Sequence, residues 1–296
     1  MVKSKSYVRY QVVINTILVL VTLIMVLPMV LLFMSSITSE ASLLNNGYSF
    51  FPKEFSLEAY KYIFSNKETI LRAYGMTIIT TVIGTAANIL LSSMMAYGLS
   101  IKKLPFRNVI GFYVFFTMLF NGGLVPSYLM WSGTFHIKNT IFALIIPNLM
   151  MSAMNVILIR TYYMTSIPEA LFEAAQIDGA SYLYIFRKIV LPMGKPIMVT
   201  VGLFSGLGYW NDWTNGLYYI NDAKLYTIQN LLNKMIQDIQ ALQANASSSA
   251  GGAMMQIPTI SVRMAIAFVA LLPILVIYPF LQKYFAEGIA LGAVKG

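Results

Sequence analysis

Long charge-free stretches punctuate this chain. Residues 10–39 lie between Arg9 and Glu40, 73–101 between Arg72 and Lys102, and 108–135 between Arg107 and His136. Residues 139–159 lie between Lys138 and Arg160, 196–211 between Lys195 and Asp212, and 264–282 between Arg263 and Lys283. The fifth run resumes at Trp213. A helix crosses the hydrocarbon core with about 20 apolar residues. The pattern therefore predicts six transmembrane helices, at about 12–35, 74–100, 108–131, 140–159, 196–218 and 264–282. A seventh charge-free window, 239–262, is rich in Gln, Asn, Ser and Gly and reads as a loop. The first run, Val12–Met34, is too long for the apolar region of a secretory signal, and no small-residue cleavage site follows it. It reads as a retained anchor.

Composition makes the membrane reading firm. Hydrophobic residues are 58% of the chain and charged residues 10%, against about 25% charged in soluble domains. The expected fold class is an all-α integral membrane protein, with residues 1–296 forming a single transmembrane domain. The net charge of +9 does not point to nucleic acid, because a basic excess here reflects loops facing anionic lipid headgroups. There is no Cys and one His, His136. Disulfides, thiolate metal sites, iron–sulfur clusters and multi-histidine sites are excluded, and His136 reads as an interfacial residue.

With six spans both termini share a side. That side carries 12 Lys and Arg against eight opposite, so both termini are expected to be cytoplasmic. Residues 36–71 and 221–261 then form external loops, the second flexible across its Ser/Ala/Gly-rich Ala244–Ala253 stretch. The cytoplasmic loop 160–195 reads as two helices. Ser166-Ile-Pro-Glu169 has the pattern of a capping box with Pro168 in the first turn. Gly179 suits a left-handed C-terminal cap, Ser181 can cap the second helix, and Pro192 is expected to stop it. Leu171, Phe172, Tyr182, Tyr184, Ile185 and Phe186 crowd this loop. They call either for packing beneath the chain's own membrane domain or for docking of a cytosolic partner.

These residues also carry a resemblance. Glu173-Ala174-Ala175, then Gly179, then Ile189-x-Leu191-Pro192 resembles the EAA motif of binding-protein-dependent ABC importer permeases over about 20 residues. The tail from Phe285 to Gly296, Ala96-Tyr-Gly-Leu-Ser100 and Trp210-Asn-Asp-Trp213 are similar to carbohydrate-importer permeases of the maltose-transporter class. Phe120-Asn-Gly-Gly-Leu-Val-Pro-Ser-Tyr128 resembles the branch that handles complex oligosaccharides. The resemblance implies a type I ABC importer permease fold whose cytoplasmic loop is a coupling helix seated in an ATPase subunit. It assigns ATPase docking to Glu173, Ala174, Ala175, Asp178, Gly179, Tyr182 and Phe186, with Glu173 as the ion-pairing residue. It implies a second homologous permease, two ATPase subunits and an extracytoplasmic sugar-binding protein that loop 221–261 would reach. ATP and Mg would sit in the ATPase partner, and this chain would hold no cofactor of its own. No Gly-x4-Gly-Lys-Ser/Thr occurs in the chain, so it has no P-loop to cradle phosphates.

A sugar path must replace hydroxyl hydrogen bonds and can stack aromatics on ring faces. The fifth span offers Tyr209, Trp210, Asn211, Asp212 and Trp213 near its outer end, and Asn121 before Gly122-Gly123 marks a helix break and a further candidate. An acid at membrane depth is a functional hypothesis by default, although Asp212 can equally stand in external water and Trp213 in an interfacial belt. Asn88 and Asn148 suit either cross-helix bonding or sugar contact. Pro147 and Pro273 suggest kinks, and the 19 Met suit adaptable packing. A stand-alone secondary transporter is disfavoured because the spans hold no buried acid–base relay. A membrane enzyme is disfavoured because no His-Glu-x-x-His or paired nucleophile is present. Glu169, Glu173 and Asp178 are spaced for capping and docking rather than for acid–base work.

Overall fold

The computed structural model describes residues 5–65, 67–246 and 260–293. Among them regular structure is helical, apart from one isolated antiparallel bridge between Thr38 and Phe55. In chain order the helices are α1 Lys5–Ser36, α2 Glu40–Asn46, α3 Glu58–Ser65, α4 Lys67–Ser100, α5 Arg107–Leu119, α6 Leu124–Tyr128, α7 Phe142–Ile145 and α8 Ala153–Ser166. They continue with α9 Glu169–Ile177, α10 Tyr182–Ile185, α11 Leu191–Met193, α12 Lys195–Trp210, α13 Thr214–Tyr219, α14 Ile228–Ala246 and α15 Ile260–Ala293. Leu129–Thr134 and Phe186–Val190 are π-helical turns that extend α6 and α10.

Three stretches are long and apolar enough to cross a membrane unbroken: Arg9–Ser36, Lys67–Ser100 and Ile260–Ile277. They answer to the first, second and sixth windows. Leu20, Ile24 and Met25 of α1 are 55%, 65% and 69% exposed. Water would not tolerate such a helix, so these side chains belong in lipid. The other three windows are broken.

The third window, expected as one helix over 108–131, is α5 and α6 meeting at 114°. The break falls at Asn121, as the sequence suggested. Its Oδ1 accepts the Gly123 N–H at 2.7 Å, and Gly123 has φ 89°. The fourth, expected at 140–159, is helical only at α7 and again from α8. Pro147 removes a backbone donor and Asn148 turns the chain at φ 62°. The fifth, expected over 196–218, ends its helix at Trp210 and restarts at α13. Upstream, Tyr182–Met193 meets α12 at 79°.

Two expected helix signals work differently in the folded chain. Ser166 ends α8 instead of capping α9, whose N-cap is Pro168 with no side-chain cap bond. Pro192 does not stop its helix. It sits in α11, the last stretch of the continuous helical run Tyr182–Met193, and the chain turns at Gly194. There the backbone lies so close to Tyr163 that a Cβ would stand 2.7 Å from the ring. Residues 221–261, expected as an external loop, are likewise not a plain loop. Residues 228–246 are α14, with apolar residues at 228, 231, 232, 235 and 236 in helical spacing. Most of the expected flexible stretch, 247–253, lies outside the described residues.

The chain forms two compact units, Met1–Ile70 with Lys234–Pro273, and Leu71–Asn233 with Ile274–Gly296. In the first, Ser36 Oγ and Tyr60 OH are 2.8 Å apart, the Ser39 N–H donates to Glu54 O at 3.0 Å, and Phe33 packs on Phe268 with ring centroids 4.9 Å apart. The Glu40 carboxylate accepts the Ile260 and Ser261 N–H groups, each at 2.9 Å, and the Ser261 hydroxyl at 2.7 Å. An acid thus caps the start of α15 from 220 residues away, meeting both its orphan donors and its dipole. In the second unit the core joins α4, α8, α10 and α12 through Tyr97, Val156, Ile159, Tyr163, Ile185 and Val201. Glu40→Ala is expected to lower stability by about 1–2 kcal/mol, read as a fall in the tryptophan-fluorescence melting midpoint in detergent. Ser261→Ala, which keeps both N–H bonds, is expected to cost less than half of that.

Candidate functional site

Residues 167–193 fold as a hairpin with two unlike faces. Glu169, in the first turn of α9, pairs with Lys102 across solvent. Gly179 follows α9 at φ 76°, a conformation that a Cβ resists. Ser181 Oγ then accepts the Tyr184 N–H at 3.3 Å and starts α10. On the inner face, Phe186 stacks on Tyr97 with centroids 5.5 Å apart and planes at 29°, and Phe172 approaches the same ring at 6.3 Å. Ile185 and Val190 are fully buried beside them. Below, the Tyr163 hydroxyl is 2.6 Å from Ser93 Oγ, which ties α8 to α4. On the outer face Ile177 is 86% exposed, and Tyr182, Leu183 and Tyr184 are each above half. The sequence left open whether these apolar residues pack inward or dock outward. Phe172, Ile185 and Phe186 turn inward, while Leu171, Tyr182 and Tyr184 are exposed.

That division sorts the residues expected to dock. Glu173, Ala174, Asp178, Gly179 and Tyr182 are exposed. Glu173 also lines a hollow of ≈ 250 Å³ with Tyr97, Lys102, Lys103 and Gln176. Ala175 is half-buried against the core. Phe186 is 4% exposed, stacks on Tyr97 and belongs to the inner face. Leu183, Tyr184 and Ile177 are exposed on the outer face instead.

The residues expected to line a path fare differently. Tyr209 is 2% exposed and its hydroxyl donates to the Ile145 carbonyl at 2.8 Å. Its ring lies against α4 at Gly84, where a Cβ would stand 2.4 Å away. Asp212 Oδ1 accepts the N–H groups of Thr214 and Asn215 at 3.0 and 3.2 Å. It is a cap for α13. Asn211 is exposed and its amide turns back to Leu207 O. Trp213 is 46% exposed. Trp210 is 8% exposed, its indole N–H has no partner among the described residues, and it lines an apolar hollow of ≈ 290 Å³ with Gly202, Gly206, Ile274 and Ile277. Asn121 shapes the bend between α5 and α6.

The polar residues the sequence underrated are those that repair the broken fourth window. Asn215 Nδ2 donates to Pro147 O at 3.0 Å, and Asn88 Nδ2 to Leu149 O at 2.7 Å. With Tyr209 on Ile145, three carbonyls around the break each gain a side-chain donor. Asn155 Nδ2 bridges Asn88 Oδ1 and Ser205 Oγ, both at 3.0 Å, and the Ser205 hydroxyl donates to Asn88 Oδ1 at 2.9 Å. Asn88 thus bonds across helices, one of the two roles open to it, while Asn148 sits exposed in the turn. Asn155 was legible as an amide in an apolar window; Ser205 carried no such signal. Among the described residues no three His, Asp or Glu side chains gather in a way that could hold a metal ion.

Helices bent at breaks, a side-chain-repaired span and a two-faced hairpin define a polytopic helical membrane protein. Residues 7–291 match the family described as the binding-protein-dependent transport system inner membrane component, and the chain belongs to that family. It is 38% identical to the polygalacturonan/rhamnogalacturonan transport system permease protein YtcP of Bacillus subtilis, over 94% of this chain and 96% of that one. It is also 38% identical to protein LplC of Bacillus subtilis, over 92% of this chain and 90% of the relative. Among solved structures it resembles a bacterial ABC transporter involved in the import of the acidic polysaccharide alginate, at 27% identity and TM-score 0.78 over 96% of this chain and 99% of that one. The expected membership among sugar and oligosaccharide ABC transport permeases is thereby shown.

Inner and outer residues of the hairpin should respond differently to truncation. Phe186→Ala is expected to destabilise the purified chain by about 3–5 kcal/mol, and Leu183→Ser to stay within about 0.5 kcal/mol of the native protein. Melting of the two variants side by side in one detergent measures the difference.

Proposed function

We propose that this chain is a permease subunit of an ATP-driven importer of oligosaccharides and that residues 160–195 are its coupling loop. The observation that carries the reading is the hairpin's outer face. Ile177, Leu183, Tyr182 and Tyr184 present apolar surface on a segment flanked by Lys102, Lys103, Arg187 and Lys188, where no membrane would cover it. Exposed apolar surface of that kind marks a protein contact. Its partner would be an ATPase subunit, which holds the ATP and Mg that this chain has no P-loop to bind. Glu173 and Asp178 would add charge complementarity at the rim of that contact.

The termini would face the cytoplasm, by the bias of Lys and Arg. A second, homologous permease would complete the membrane pair, and an extracytoplasmic binding protein would deliver the sugar. Transport would be by alternating access: closure of the ATPase dimer draws the hairpins together and turns the cavity outward. The names of YtcP and of the alginate importer support a polysaccharide-derived oligosaccharide as cargo. Trp210, beside its apolar hollow, is the span residue best placed to meet a sugar ring. Tyr209 and Asp212 would act by fixing the break that shapes the path.

The test is gentle purification through a tag on this chain from its native membrane, with mass spectrometry of what accompanies it. A Glu173→Lys, Gly179→Asp variant runs alongside. An ATPase with Walker motifs and a second permease are expected with the native chain, and at least about a tenfold loss of ATPase from the variant. A chain that purifies alone and still moves solute in liposomes would overturn the reading.

A further inference from the structure

We infer that Arg107 and Arg160 form a binding site for the headgroup of an anionic phospholipid. Both guanidinium groups converge on one backbone carbonyl. Arg107 Nε donates to Leu99 O at 2.8 Å, and Arg160 Nε donates to the same oxygen at 3.1 Å. Two like charges are thus held within a few ångströms of each other, and both side chains are half-buried. A guanidinium carries five N–H donors. Beyond the shared carbonyl, Arg107 makes one long contact to Met164 Sδ at 3.5 Å, and Arg160 makes none among the described residues. The nearby acid Glu169 is engaged by Lys102. Lys103, exposed in the same turn, adds a third cation with no ion-pair partner among the described residues.

The surroundings favour an anion further. Arg107 is the first residue of α5, so the positive end of a helix dipole adds to both guanidinium charges. The N-cap position, Phe106, supplies no side-chain acceptor to the first turn. Donors in excess and paired guanidinium forks that no acid engages among the described residues are the recognition chemistry of phosphate.

Placement selects a lipid over a free ion or a protein. Arg160 lies six residues before the end of α8 at Ser166. At about 1.5 Å per residue that is roughly 9 Å back towards the membrane, away from the outward tip of the hairpin at Ile177 and Leu183. Phe106 before α5, and Val109, Phe112 and Tyr113 on it, are 64–77% exposed. Acyl chains can lie along that face while the phosphate meets the arginines. Basic pockets of this kind at the ends of membrane helices take anionic headgroups. The inference needs neither an ATPase nor a sugar, so it stands or falls separately from the function proposed above.

The test counts lipids by native mass spectrometry on the chain with whatever subunits accompany it, after exchange between vesicles of phosphatidylglycerol and of phosphatidylcholine. The native protein is expected to retain one phosphatidylglycerol through detergent washing that strips phosphatidylcholine. Arg107→Gln with Arg160→Gln should lower that occupancy at least about tenfold, with unchanged melting in phosphatidylcholine. Arg160→Gln alone should lower it partway, and it carries the test if the double variant fails to fold. Equal retention by native and variant protein would overturn the inference. So would displacement of the lipid by inorganic phosphate, which would point to a free anion, and so would loss of an accompanying ATPase without loss of lipid.

Discussion

A helix that breaks inside hydrocarbon must find new partners for the backbone groups it frees, because no water is there to take them. The fourth apolar window of this chain breaks at Pro147 and Asn148, and the second unit is organised around repairing it. Tyr209, Asn215 and Asn88 reach in from α12, α13 and α4 to the carbonyls of Ile145, Pro147 and Leu149. Asn155 and Ser205 extend the bonding into α8 and α12. Helix–helix hydrogen bonds of this kind contribute about 0.6 kcal/mol on average, and up to about 1.7 kcal/mol. Each is modest, but together they fix where α8 begins and how α12 lies against α4. Gly84 and Tyr209 complete the arrangement by close approach.

From that fixed point the chain runs down α8 into the hairpin and returns through the bend at Gly194 into α12. The hairpin is therefore bound to its own domain before any partner arrives. Phe186 and Phe172 on Tyr97, Tyr163 on Ser93, and Gly194 against Tyr163 make that attachment. Packed interfaces of this kind shift between discrete arrangements instead of deforming smoothly. A force applied to Leu183 and Tyr184 on the outer face would reach α4, α8 and α12 through the inner one. The hairpin is thus half core and half open surface.

Much of this was legible in the residues. Gly179, Ser181 and the EAA-like spacing placed the hairpin and its turn, because a left-handed glycine and an N-cap serine act locally. Asn121 before two glycines marked the bend between α5 and α6 for the same reason. What escaped was tertiary. Tyr209 and Asp212 read as sugar ligands because polar groups in an apolar window signal function, whereas their partners are a carbonyl 64 residues away and the first turn of α13. Pro147 signalled a kink, but not that α7 would stop after one turn. Phe186, assigned to docking by resemblance, is turned inward by its stacking on Tyr97, a contact between positions far apart in the chain. The cap of α15 by Glu40 is invisible from sequence, since it joins positions 220 apart.

The central claim is that the hairpin moves with its membrane domain as one body. The chain contains no Cys, so two introduced thiols label uniquely. Gln176, on α9, and Thr161, on α8, are both exposed. The most direct measurement is the electron–electron spin distance between labels at these two positions in the assembled transporter, with and without nucleotide that closes the ATPase. The account predicts the same distance distribution in both states. A distribution that shifts beyond its own width on closure would show the hairpin swinging free of α8, and would contradict the account.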